Sequence, residues 1–161
     1  MSGQCIAVVS GKGGTGKTSL TAGVGTALAQ SGKRVLCVDC DIGLRNLDLA
    51  LGLTDRALMD FSDVALDRCP LEAAVVAHPS IPNLYLLTAP VRMRGPAVTE
   101  EDFRRMLQKI RQLSSGGRGV REKAGEYLGD GIKLLEEALK WDVPLTTVVV
   151  TPEITPPALP A

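Results

Sequence analysis

The sequence predicts an α/β fold with a parallel sheet, and three neighbouring segments carry that expectation. Residues 6–9 are a short apolar run that ends in a glycine-rich loop, as a strand buried on both faces does. Residues 19–31 follow with Leu20, Val24, Ala27 and Leu28 at helical spacing, and Gly32 stands where a helix end is capped. Residues 34–40 then form a second apolar run. Strand, helix and strand in that order make one βαβ unit with its two strands parallel in a single sheet.

The later elements read less evenly. Residues 44–53 are apolar-rich but of undecided type, and two short helical pieces follow around 61–67 and 70–77, with Pro70 suited to a first helical position. Residues 84–87 read as a third strand. Thr99 opens a helix, because Thr99 and Asp102 form the acidic version of a capping box. Phe103, Met106, Leu107, Ile110 and Leu113 make its apolar stripe, and Lys109 and Arg111 near its end match the helix dipole. A Ser/Gly-rich stretch at 114–119 reads as a linker. Beyond it, Ile132, Leu135, Ala138 and Leu139 suggest a helix over 132–141, and the β-branched run at 146–150 suggests a strand. The expected organisation is an α/β core over 1–113, the linker, a small C-terminal α/β appendage over 120–151, and a proline-rich tail over 152–161.

Composition narrows the class. A chain of 161 residues suits one domain with a small appendage, and with 3% aromatic residues its core must be mainly aliphatic. The formal net charge of zero gives no global attraction to nucleic acid or anionic lipid. No run of 18 apolar residues and no signal-like N-terminus occur, so a cytoplasmic protein is expected. Of the four cysteines, Cys5, Cys37, Cys40 and Cys69, the middle pair spells C-x-x-C. Positions three apart on a strand point to opposite faces, which makes that pair a poor metal clip or redox couple. The four read instead as reduced, small apolar residues.

Gly11-Lys12-Gly13-Gly14-Thr15-Gly16-Lys17-Thr18 satisfies G-x-x-x-x-G-K-[ST] in full, with Ser19 beginning the helix behind it. Glycines let backbone N–H groups turn inward around phosphate oxygens, and the helix N-terminus adds its positive dipole end. Lys17 is placed for the β- and γ-phosphates and the Thr18 hydroxyl for magnesium, so ATP and Mg2+ are the expected ligands. Gly11, Gly13 and Gly16 also spell the dinucleotide pattern G-x-G-x-x-G, but such a loop has no use for the Lys-Thr pair that follows. Asp39 and Asp41 end the second strand, the edge at which open α/β sheets bind ligands, where carboxylates can hold a metal or orient water. Strand-end solubility is the competing account of either residue.

Lys12, directly after the first glycine, is the mark of the deviant Walker A group. The loop, then Val38-Asp-Cys-Asp-Ile-Gly-Leu-Arg-Asn-Leu-Asp-Leu-Ala-Leu-Gly52, then Asp60-Phe61 and Asn83-Leu-Tyr-Leu-Leu-Thr-Ala-Pro90, closely resembles the ParA/MinD family over residues 3–110. The resemblance implies a P-loop ATPase fold in which Gly11 to Ser19 cradle ATP. It implies that Thr18 and Asp39 serve magnesium, that Asp41 positions the hydrolytic water, and that Lys12 reaches the nucleotide of a partner copy in an ATP-dependent homodimer. Residues 43–47 would be the first switch region. MinC-like and MinE-like partners, and cycling to the inner face of the cell membrane during division-site placement, are implied too.

The family continues into an Asp-x-Pro-Ala-Gly switch, base-binding residues and an amphipathic membrane helix, and the present sequence shows none of these. Slow hydrolysis and no stable membrane attachment are therefore expected, as is a strand at 145–150 standing parallel beside the P-loop strand. Residues 111–151 instead resemble the substrate-recognition part of SpoU/TrmH RNA methyltransferases without their methyl-donor domain. The chain then reads as two fragments joined inside the Thr99 helix. An RNA-associated module is the alternative function, on the basic residues Arg92, Arg94, Arg104, Arg105, Lys109, Arg111, Arg118, Arg121 and Lys123. A non-functional remnant with an intact loop is the third reading.

Overall fold

Leucine and valine runs build the sheet in the computed structural model, which describes residues 4–9, 13–114 and 145–151. The strands are β1 (Gln4–Val9), β2 (Val35–Asp39), β3 (Val76–Ala77), β4 (Leu84–Leu87) and β5 (Leu145–Thr151), in the order β1-β5-β2-β4-β3. The helices are α1 (Lys17–Gln30), α2 (Asn46–Ala50), α3 (Phe61–Ala65), α4 (Leu71–Ala74) and α5 (Glu100–Ser114). β2 pairs β4 in parallel, while β5 lies antiparallel to both β1 and β2. Strands β1, β2 and β4 therefore all end at one edge of the sheet, as the βαβ reading requires.

The expected gap-filling strand exists, but its direction is reversed. β5 stands beside the P-loop strand with Val148 opposite Ala7 on one side and Val38 on the other. A β-branched run marks a strand that suits burial and leaves its direction open, because either kind of ladder satisfies its backbone groups. Leu145 pairs with Val9 at the ligand edge and Thr151 with Gln4 at the far edge. Glu153 lies outside the described residues. The 132–141 helix and the 152–161 tail also fall outside the described residues.

Strand alternation sorts the core into two halves. Val35, Cys37, Leu84 and Leu86 face α1 and α2, packing with Ala29, Leu47, Leu51 and Leu53. Val38 and Leu87 face the other way, against Phe61, Val64, Phe103, Met106 and Ile110. Cys37 belongs to the first half and Cys40 packs against the second, so the C-x-x-C pair points to opposite faces as the strand reading demands. Cys37, Cys40 and Cys69 are free thiols.

Helix α1 buries a face only partly shared with the stripe its large residues suggest, with Leu28 packed against the core. Leu20 is 57% exposed, and the buried positions are Thr21, Gly25 and Ala29. Small residues at i, i+4 and i+8 let the helix axis lie close on the sheet. A Cβ on Gly25 would stand 2.5 Å from Cys37 Sγ. The helix closes as expected, with Gly32 N–H donating to Ala29 O at 3.0 Å and Lys33 N–H to Leu28 O at 3.1 Å.

The second half of the core follows the sequence more closely. Thr99 N–H donates to Asp102 Oδ2 at 2.9 Å and Asp102 N–H to Thr99 Oγ1 at 3.2 Å, so the acidic capping box is formed. Phe103, Met106, Leu107 and Ile110 are buried, and the Phe61 and Phe103 rings meet edge to face at 6.0 Å. The 70–77 piece is shorter than a helix of that span. Pro70 sits at the N-cap of α4, and Val76–Ala77 leaves the helix to pair antiparallel with β4.

Candidate functional site

The site lies where β1, β2 and β4 end. Gly11 and Lys12 fall outside the described residues, and Gly13 through Gly16 form the exposed remainder of the loop. Gly14 and Gly16 have φ of +72° and +86°. A Cβ added at Gly13, Gly14 or Gly16 would meet nothing within 4 Å. The demand for glycine at 14 and 16 is therefore conformational, not a matter of space. The left-handed turn at Gly16 swings the chain into α1, and its carbonyl accepts from Leu20 N–H at 2.8 Å.

Lys17 and Thr18 sit half-buried in the first turn of α1, followed by exposed Ser19. No side chain of the N-cap residue occupies the turn, and no acidic residue lies in it. A helix N-terminus presents backbone N–H groups and a positive dipole end, which is the arrangement that receives an anion.

Asp39 ends β2 with 1% exposure. Its Oδ1 accepts from Asp41 N–H at 3.0 Å and its Oδ2 from Leu47 N–H at 3.2 Å. Burial pushes the carboxyl up to about 6, against the pull of those two N–H donors and with the help of the nearby Asp41 and Asp48 charges. One buried carboxylate thus ties together the end of a strand, the next turn and the start of α2. Asp41 is half-buried just beyond it. Gly43 N–H donates to Pro90 O at 3.0 Å, which fastens the same loop to the end of the β4 segment.

Sequence reasoning passed over Asp48, Thr21 and Thr88 here, and took in Arg45 only as part of the 43–47 stretch. Arg45 takes a left-handed φ of 46° at the N-cap of α2 and places Nε 2.9 Å from Asp48 Oδ2, with Asp48 itself buried. Their i, i+3 spacing was the available signal. Thr21 and Thr88 are buried with hydroxyls that have no hydrogen-bond partner. A lone threonine in a helix or after a strand gives no such signal.

Among the described residues no three His, Cys, Asp or Glu side chains are grouped to hold a metal by themselves. Mg2+ at a phosphate site keeps several waters and takes one or two protein oxygens beside those of the substrate, and Thr18 and Asp39 are the oxygen-bearing residues here that could supply them. Three basic residues of α5 make ion pairs within the domain: Arg104 pairs with Glu100, Arg105 with Asp102 and Asp67, and Lys109 with Asp67. No helix among the described residues is long and apolar enough to cross a membrane.

A glycine loop that opens a helix at the carboxyl edge of such a sheet defines a P-loop nucleotide-binding protein. The chain belongs to the CobQ/CobB/MinD/ParA nucleotide binding domain family, whose model matches residues 6–142. It is 45% identical over 111 residues to the septum site-determining protein MinD of Bacillus subtilis (strain 168), covering 68% of this chain and 41% of that protein. A putative MinD of Chlorella vulgaris is 36% identical over 154 residues, or 94% of this chain and 52% of the relative. Among solved structures, a MinC:MinD cell division protein complex from Aquifex aeolicus aligns with TM-score 0.59 and 31% identity, covering 83% of this chain and 62% of that one. The chain therefore spans about half or less of the length of these curated relatives. The second resemblance, over 111–151, gains no support from these matches, and the family match itself runs to residue 142.

Proposed function

We propose that this chain is a MinD/ParA-type ATP-binding protein that acts in division-site placement. The observation that carries the reading is the glycine turn from Gly13 to Gly16 seated at the N-terminus of α1, with Lys17 and Thr18 in its first turn and the buried Asp39 at the end of β2, within a sequence that completes the G-x-x-x-x-G-K-T motif. The loop's backbone N–H groups hold phosphate oxygens, and the Lys17 ammonium adds charge at the β- and γ-positions. Thr18 Oγ1 and Asp39 serve magnesium, which when bound neutralises phosphate charge. Asp41 orients the attacking water, and Lys12 reaches toward a second copy in an ATP-dependent homodimer. A MinC-like inhibitor and a MinE-like activator are the partners that fit, through the family. The RNA alternative is not favoured, because the family match and the relatives are all of the MinD/ParA type.

Turnover is slow in this reading. Hydrolysis needs groups aligned around the γ-phosphate, and errors of about 1 Å cost on the order of 100-fold in rate. The strand beside β1 brings Leu145, its first residue, to the ligand edge in place of a switch aspartate.

Calorimetric titration with Mg-ATP tests the binding claim. Lys17→Ala is expected to weaken binding at least about tenfold, because a charge-assisted contact is worth roughly 1.5–3 kcal/mol. Equal affinities for the two proteins would refute it.

A further inference from the structure

Thr21 of α1, Asp39 at the end of β2 and Thr88 just after β4 are buried polar residues on three elements that meet at the carboxyl edge of the sheet. Cys37 faces α1, so Asp39, two residues on, faces the same way. Leu84 and Leu86 face α1 as well, and Thr88 continues that alternation. Asp39 and Thr88 each stand one residue beyond the parallel pair Val38–Leu87, which makes them lateral neighbours at the sheet edge.

Thr21 meets them from above. Gly25 rests against Cys37, Val35 and Leu84. Toward its N-terminus α1 moves about 6 Å from Gly25 to Thr21 at 1.5 Å per residue. β2 moves about 6.6 Å from Cys37 to Asp39 in the same direction. Thr21 therefore lies over Asp39, one turn behind Thr18 on the same helix. Exposure is 0% at Thr21, 1% at Asp39 and 1% at Thr88.

Their hydrogen bonding is incomplete in a complementary way. The Thr21 and Thr88 hydroxyls have no partner. Asp39 accepts one N–H at each oxygen, so about two of its roughly four acceptor positions stay open. Native proteins seldom bury hydroxyls without partners, and enclosed water is a usual solution.

We propose that Thr21 and Thr88 are positioning residues for the Asp39 carboxylate, donating to its open lone pairs through an enclosed water that joins α1, β2 and the end of β4. The inference rests on the reading of Asp39 as the carboxylate that serves magnesium. In this arrangement Thr88 carries the position of the β4 end, which also holds Gly43 N–H through Pro90 O, to the metal position. Thr21 carries that of the P-loop helix.

The test measures magnesium dependence of nucleotide binding, using a fluorescent ATP analogue titrated with Mg2+. Thr88→Val and Thr21→Val keep the side-chain shape and remove the hydroxyl. Each is expected to raise the Mg2+ concentration for half-maximal binding about 5–10-fold, with metal-free nucleotide affinity unchanged and thermal unfolding monitored alongside. Thr88→Ser should restore the wild-type value, which a purely steric role would not predict. A high-resolution crystal structure should show one ordered water within hydrogen-bond reach of both hydroxyls and Asp39. If Asp39→Asn shifts the Mg2+ requirement while both valine variants do not, the positioning role is overturned and the metal reading stands. If Asp39→Asn is itself silent, the metal reading fails and takes the proposal with it. Finding the Thr21 hydroxyl bonded back to the Lys17 carbonyl, with no water present, would also overturn it.

Discussion

At the scale of single residues, the chain places its most demanding chemistry where stability suffers. Asp39 is buried, and its carboxyl is pushed up to about 6 from an ordinary 3.8. Because the folded value lies above the unfolded one, the native state binds the proton more tightly. That stabilisation is fully present below about pH 4 and is lost as pH rises through 6. At neutral pH the ionised carboxylate costs on the order of 3 kcal/mol. In urea melts the stability of Asp39→Asn relative to wild type is expected to shift by about 3 kcal/mol in the variant's favour between pH 4 and pH 7, on top of a pH-independent cost because an Asn amide cannot accept from both Asp41 N–H and Leu47 N–H; a difference independent of pH would contradict the burial argument. Gly25 shows the opposite economy, a residue chosen for what it leaves out. Alanine there improves helix propensity by up to about 1 kcal/mol but forces a methyl against Cys37 Sγ, 2.5 Å from the Cβ position. Overpacking costs roughly 1–3 kcal/mol, so Gly25→Ala should lower the melting temperature. Adding Cys37→Ala should return part of the loss, and a Gly25→Ala protein as stable as wild type would show that the sheet yields freely.

Elements show which signals in a sequence can be trusted. α5 was legible because three independent features agreed: the Thr99–Asp102 cap, the apolar stripe and the charge order along the axis. α1 was legible in position and misleading in orientation. Its buried face is made of Thr21, Gly25 and Ala29, residues too small to register as an apolar stripe, while Leu20 points outward. Close helix–sheet packing selects small residues, and a reading that follows large ones finds only the flank of the buried face, where Leu28 meets the core. The short helices depend on caps more than on stripes. Asp60 Oδ1 accepts from Ser62 N–H at 2.8 Å, and Asp63 Oδ2 accepts from Asp60 N–H at 3.2 Å, which fixes where α3 begins. Phe61 and Val64 of that helix fill the core beside Phe103. Asp60→Ala should cost about 1 kcal/mol in denaturant unfolding, within the range of about 0.5–2 for lost caps. Asp60→Asn, which keeps an acceptor, should recover most of it, and an alanine variant without measurable loss would show that packing alone sets the start of α3.

Over the whole molecule, the P-loop end of the sheet was readable because its motif specifies backbone, charge and context together. Topology was not readable to the same degree. Pairing between β1 and β5 joins residues more than 130 positions apart, and no local signal specifies which way such a strand runs. β5 separates β1 from β2, so the P-loop strand reaches the rest of the sheet only through it. This makes a sharp demand on residue 148, which stands opposite Ala7 in one ladder and Val38 in the other. Proline there removes an N–H from a strand paired on both sides and clashes with its neighbours, a cost on the order of 3 kcal/mol or more. A small α/β domain has only about 5–15 kcal/mol of net stability, so the loss is a large share of the total. Val148→Pro is therefore expected to broaden or abolish the cooperative thermal transition and to weaken Mg-ATP binding, although residue 148 belongs to no part of the phosphate loop. Proline at position 79, in the turn between β3 and β4, is native and does no such harm, which places the effect in the ladder and not in the residue type. Unchanged melting and unchanged nucleotide affinity in Val148→Pro would mean that β1 joins the sheet by another route, and the wedge position of β5 would have to be abandoned.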